Sequence, residues 1–82
     1  MTVSTVWLPE IRRRILIAMR HGPLDYFQIA KDIGEAPFRV RAELMDLRRD
    51  RLVQQRLGHG RIEWTLTNRG EKIAFRQEEL EF

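Results

Sequence analysis

Eighty-two residues suffice for one domain with a compact core and exclude a second domain or a large internal cavity, since a chain of this size buries only about 60% of the surface it exposes when unfolded. Without cysteine it can form neither a disulfide framework nor a thiolate metal site, and His21, His59 and carboxylates alone are thin material for a metal centre, so no metal or other cofactor is expected. Thirteen of the fifteen basic residues are arginine, and because Glu78, Glu79 and Glu81 crowd the last five positions, residues 1–76 carry a net charge of +6. Arginine forks suit phosphates and stacked bases better than lysine does, which leans toward nucleic acid.

The opening "MTVSTVW" lacks the charged start and apolar stretch of a signal peptide, and the longest mainly apolar run, "ILIAM" at 15–19, is too short to cross a bilayer. A soluble cytoplasmic protein with no membrane partner is expected. Residues 1–8 read as an arm, and Pro9 opens a helix over 9–20 whose inward stripe is Ile11, Ile15 and Ala18 with Leu8 and Met19. Arg12, Arg13 and Arg14 fan around its outer side, and "HGP" ends it. Asp25 is a good N-cap for a helix over 25–33, with Ile29, Ala30 and Ile33 inward and Gly34 as the stop.

Pro37 starts the third helix, 37–50, where Val40, Leu44 and Leu47 recur at the spacing of one buried face. Phe38, Arg39, Arg41, Met45, Arg48 and Arg49 crowd the rest of its surface. Two explanations compete: a solvated basic face on which Phe38 and Met45 touch neighbouring elements, or a helix whose outer face enters a groove. Next come "RLVQQRL" and "RIEWTLT", two strand-like segments separated by "GHG", which give a hairpin over 52–66. Alternation places Val53, Leu57, Ile62, Trp64 and Leu66 inward and Arg61, Glu63 and Thr65 outward. Thr67 or Asn68 then caps a helix over 68–80 with Gly70, Ile73, Ala74, Gln77 and Leu80 along one side. The fold class is α+β, mainly α, in the order helix, helix, helix, strand, strand, helix.

In that order, "QIAKDIG", "VRAELMDLRRDRLV" and "WTLTNRGEKIA" resemble the second helix, the third helix with its exit, and the return strand with the closing helix of the winged helix-turn-helix family, particularly the small bacterial, archaeal and phage regulators related to the MarR, ArsR and PadR groups. The resemblance covers roughly residues 10–77 and is specific to the fold class. One departure is Arg51, which stands where such proteins often carry a glycine in a left-handed conformation before the "LV" pair.

The resemblance implies a single DNA-binding domain acting as a small transcriptional regulator, with 37–50 as recognition helix and 52–66 as wing. Phe38, Arg39, Arg41, Ala42 and Met45 then face a major groove, with Arg48 and Arg49 further along the helix. Arg39 or Arg41 can pair with guanine, and Phe38, Ala42 or Met45 can touch a thymine methyl. Glu43, Asp46 and Asp50 should point away from phosphate. Arg56, His59 and Arg61 flank a turn able to approach a minor groove or the backbone. Val6, Trp7, Phe75, Leu80 and Phe82 are candidates for a homodimer contact, with Trp7 covering Phe82 within one chain as the alternative. A winged-helix module that binds protein within a larger assembly is the other functional class. An enzyme is not expected: cysteine is absent, Ser4 lies in the arm, and "GEKIA" lacks the glycine frame of a phosphate loop. No small-molecule ligand is evident.

Overall fold

The computed structural model describes the backbone of residues 8–80 and the side chains of residues 8–76. Helix α1 (Glu10–Ala18) follows Pro9, whose carbonyl accepts from the Arg13 N–H at 3.0 Å, and it tightens into a 3-10 turn over Met19–His21 before Gly22 breaks it. Helix α2 (Tyr26–Ile33) begins with a capping box. The Gln28 N–H donates to Asp25 Oδ1 at 2.9 Å and the Asp25 N–H donates to Gln28 Oε1 at 3.2 Å, so two N–H groups without helical partners are satisfied together. Gly34 closes α2 in the left-handed region, where a side chain would be strained.

Helix α3 (Pro37–Arg49) has proline in its first turn and ends at Arg51, which adopts φ +64° despite its side chain. The Arg51 N–H donates to the Arg48 carbonyl and the Leu52 N–H to the Leu47 carbonyl, both at 2.9 Å, the paired bonds of a Schellman ending. Buried Leu47 and Leu52 supply the apolar contact that accompanies it. The glycine-like ending is therefore kept without the glycine, because two backbone bonds and the contact between these leucines outweigh the strain of one left-handed arginine.

Strands β1 (Val53–Gly58) and β2 (Arg61–Leu66) pair antiparallel from Val53↔Leu66 to Gly58↔Arg61. The two-residue loop, His59 at φ +53° and Gly60 at φ +77°, has the positive φ pair of a type I′ turn, whose twist matches that of the strands. Leu24 exchanges both backbone bonds with Trp64, at 3.1 and 2.8 Å, and so adds a third strand position at the hairpin's base. Helix α4 (Asn68–Leu80) is capped by Thr67, whose hydroxyl accepts from the Gly70 N–H at 3.0 Å and donates to the Arg51 carbonyl at 2.7 Å. One threonine thus ties the exit of α3 to the entry of α4.

The core gathers Ile15, Leu16 and Met19 from α1 and its turn, Ile29, Ala30 and Ile33 from α2, Val40, Leu44 and Leu47 from α3, then Leu52, Val53, Trp64, Leu66 and Ala74. Two sequence expectations need correction. Leu16 is fully buried although it lies off the expected stripe, because α1 packs against α4 as well as α2 and α3 and so buries a wider arc. Leu57 and Ile62, expected inward, are 77% and 54% exposed. They do share a face with Val53, Trp64 and Leu66, but the hairpin outruns the helices beneath it. No helix among the described residues is long and apolar enough to cross a membrane.

Candidate nucleic-acid interface

The outer face of α3 is built by exclusion. With Val40, Leu44 and Leu47 fully buried, the 3.6-residue period turns Phe38, Ala42 and Arg49 to the opposite side, with arginines on both flanks. Phe38 is 78% exposed, and Arg39, Arg41, Ala42, Arg48 and Arg49 are exposed too. Met45 differs from the expectation. It is half-buried and packs against the core cluster, which leaves only part of its thioether side chain available to a groove.

The acidic residues of α3 are turned aside by Arg12 of α1. Its guanidinium donates to Glu43 Oε1 at 2.6 Å and to Asp46 Oδ2 at 2.9 Å. The hydrogen bond to Glu43 raises the Arg12 pKa above its ordinary value against partial desolvation, with the charges of Glu43, Asp46 and Asp50 adding to the rise. Two carboxylates that would repel phosphate are thereby neutralised at the α1–α3 seam. Arg49 lies 3.5 Å from Asp46, an exposed pair of little strength. The Arg39 and Arg41 side chains have no hydrogen-bond or ion-pair partner among the described residues. They occupy different flanks: Arg39 borders a groove with Pro9, Ile11, Arg14 and Glu35, and Arg41 lines a cleft facing the hairpin.

That cleft, of about 440 Å³, lies between the start of α2, α3 and the hairpin, and is lined by Asp25, Tyr26, Phe27, Arg41, Gln55, Arg61, Ile62 and Trp64. Tyr26 and Phe27 stack with ring centroids 4.4 Å apart, and Phe27 is 59% exposed. Arg48 donates to Gln55 Oε1 and links α3 to β1. Arg61 donates to Asp25 Oδ2 at 2.9 Å, with that carboxylate largely buried. The outward cation expected at Arg61 is therefore partly committed to holding the hairpin against the cap of α2. Arg56 sits a loose 3.8 Å from Glu63, and His59 is exposed at the tip.

Of the residues expected to serve an interface, the structure thus brings Arg41 and Arg61 to one cleft, with Arg48 bonded to its Gln55 wall; Gln55, Tyr26 and Phe27 were not singled out from the sequence. Asp25, read only as a helix cap, is also the anchor of Arg61. Its signal was the proximity of an N-cap to a strand position at Leu24, which periodicity does not show. Phe75 is 54% exposed with the Arg20 guanidinium 4.3 Å from its ring centroid. Val6, Trp7 and Phe82 lie outside the described residues, and Leu80 is described only as the last position of α4.

No protein-family model matches the sequence, and no curated protein does. Solved structures do match. Lactococcus lactis ZitR in complex with DNA aligns with a TM-score of 0.79 at 19% identity over 90% of this chain and 53% of its own. The adhesin competence repressor AdcR of Streptococcus pyogenes aligns with a TM-score of 0.84 at 16% identity, over 90% of this chain and 57% of its own. The fold is a winged helix-turn-helix. A further ZitR structure, described as a zinc-responsive MarR family member, aligns with a TM-score of 0.82 at 19% identity, over 90% and 54% of the two chains. At such identities the likeness establishes the winged helix-turn-helix architecture, with α2 and α3 as the helix-turn-helix and β1–β2 as the wing. The chain spans a little over half the length of these solved structures. Among the described residues no three His, Asp or Glu side chains are grouped so as to hold a metal ion.

Proposed function

We propose that this winged helix binds double-stranded DNA sequence-specifically as a small transcriptional regulator, with α3 in a major groove and the wing beside the adjacent minor groove or backbone. The observation that carries the reading is the division of charge on α3: Glu43 and Asp46 are drawn onto Arg12, while Arg39 and Arg41 stand exposed and without partners among the described residues. A merely solvated helix has no need to sort its charges this way. The structure of Lactococcus lactis ZitR in complex with DNA supports the same use of the fold.

In this reading Arg39, Arg41, Phe38 and Ala42 read base edges, with a smaller part for half-buried Met45. Arg48, Arg49 and Arg56 neutralise phosphates. His59 approaches the groove from the wing tip, and Arg61 positions the wing. The chain binds without catalysing a reaction, and when DNA-bound it resides on the nucleoid. One recognition helix spans few base pairs, so we infer a homodimer whose half-sites lie about one helical turn apart. Exposed Phe75, with Val6, Trp7, Leu80 and Phe82, is the proposed contact.

Salt separates this reading from a winged helix that binds protein. Fluorescence anisotropy with a duplex of about 20 bp should show affinity falling steeply as salt rises, by about one log unit of binding constant per log unit of salt for each phosphate neutralised. Affinity for DNA that is negligible at low salt would overturn the proposal and favour the protein-binding class.

A further inference from the structure

Leu57 and Ile62 are partners across the wing ladder, directly behind the two residues that flank the turn, and both are largely exposed. A single exposed aliphatic needs no explanation. Here two adjacent ones stand one pair behind the hairpin turn, and Ile62 continues the patch inward to Phe27 and Tyr26 along the cleft.

The hairpin that carries them is braced. An isolated two-stranded hairpin is marginal in water. This one is held at its base by the paired Leu24–Trp64 backbone bonds, near its tip by Arg61 on Asp25, and on the β1 side by Arg48 on Gln55. Its turn has little freedom, because both loop residues sit at positive φ. Of the three arginines around it, Arg61 is matched by Asp25 and Arg56, more loosely, by Glu63 on the opposite wing face, which leaves Arg41 at the cleft as the uncompensated cation. A stiff finger with an apolar end, its carboxylates matched by arginines and Arg41 beside it, fits a groove with anionic walls whose base faces become apolar surface once a step is opened.

We propose that Leu57 and Ile62 form an apolar wedge that enters the minor groove and opens a base step, kinking the duplex. This rests on the DNA-binding reading above and deepens it. Aliphatic side chains inserted between base pairs exchange water for the faces of unstacked bases, and the bend brings flanking phosphates toward the protein. The step that yields most readily is one already weakly stacked, a pyrimidine–purine step or a mismatch. The wing accordingly contributes to site choice through deformability, at base pairs that no arginine contacts.

The test uses the full chain and two labelled duplexes of about 20 bp with identical flanks, one fully paired and one with a central T·T mismatch, compared by anisotropy at one ionic strength. The wedge predicts roughly ten-fold tighter binding to the mismatched duplex, because part of the unstacking cost is already met. It also predicts that the Leu57→Ser/Ile62→Ser double variant brings this ratio close to one. A 2-aminopurine beside the paired central step should brighten on binding the native chain and stay dark with the variant. Both positions are exposed, so the variant should fold, and its urea midpoint checks this. A ratio near one for the native chain, or a preference kept by the folded variant, overturns the wedge while leaving DNA binding intact. Absence of salt-dependent binding to either duplex overturns the DNA reading and the wedge with it.

Discussion

Replacing Gly70 by alanine should destabilise the domain through the junction between α3 and α4, reversing the usual sign of a Gly→Ala change in a helix. In an unobstructed helix the substitution stabilises by about 1 kcal/mol, since alanine is the better helix former. Here the added Cβ would lie 1.9 Å from the Leu52 carbonyl oxygen and 2.9 Å from its carbon. The obstacle is backbone, which cannot rotate aside as a side chain would. That same carbonyl accepts from the Thr67 N–H at 3.1 Å, and Thr67 in turn holds the Arg51 carbonyl and caps Gly70, so moving α4 away loosens several bonds together. Overpacking costs about 1–3 kcal/mol and each lost hydrogen bond about 1 kcal/mol, which against the helix gain leaves a net loss of about 2–4 kcal/mol. A domain of this length has only about 4–12 kcal/mol in total. Urea denaturation followed by far-UV circular dichroism should show the midpoint lowered by about 1–3 M with an unchanged slope. A Gly70→Ala variant as stable as the native chain, or more so, would refute the close approach of α4 to Leu52.

Arg51→Gly should stabilise. Relief of about 1 kcal/mol of left-handed strain exceeds the added freedom of the unfolded chain by roughly 0.5 kcal/mol, a rise of about 2–4 °C in Tm by calorimetry. Arg12→Ala should cost about 1 kcal/mol, because its two charge-assisted bonds are partly solvent-screened, and urea titrations at low and high salt should show the difference shrinking as salt rises. Arg61→Ala should lower stability by about 0.5–1 kcal/mol through loss of the bond to Asp25, whereas Arg56→Ala should leave stability unchanged; thermal melts of the two variants compare them directly.

Most of the architecture was legible because it rests on local signals. Asp25 and Gly34 delimit α2 by capping and left-handed closure, Pro37 starts α3, and Val40, Leu44 and Leu47 mark its buried face by period alone. The aliphatic alternation of the hairpin was equally visible, but how far the helices extend beneath it was not. Leu57 and Ile62 therefore carry the pattern of buried residues while standing in solvent. Arginines are harder still to place from sequence. Arg12, Arg39, Arg41 and Arg61 look alike on paper, and only the packing of α1 against α3 and of the wing against α2 separates those that hold carboxylates from those left exposed. Gly70 read as a small residue on an inward stripe, while the reason for its size is a carbonyl eighteen positions earlier in the chain.

Whether the exposed face of α3 reads sequence in duplex DNA is decided by selecting bound fragments from a random duplex pool, with the native chain and the Arg39→Ala/Arg41→Ala variant run in parallel. The native chain should enrich a defined motif, and the variant should lose about 1–3 kcal/mol of discrimination per removed base contact while still binding duplex in a salt-dependent way. An unenriched pool with the native chain, or the same motif recovered at the same strength by the variant, would contradict sequence reading by α3.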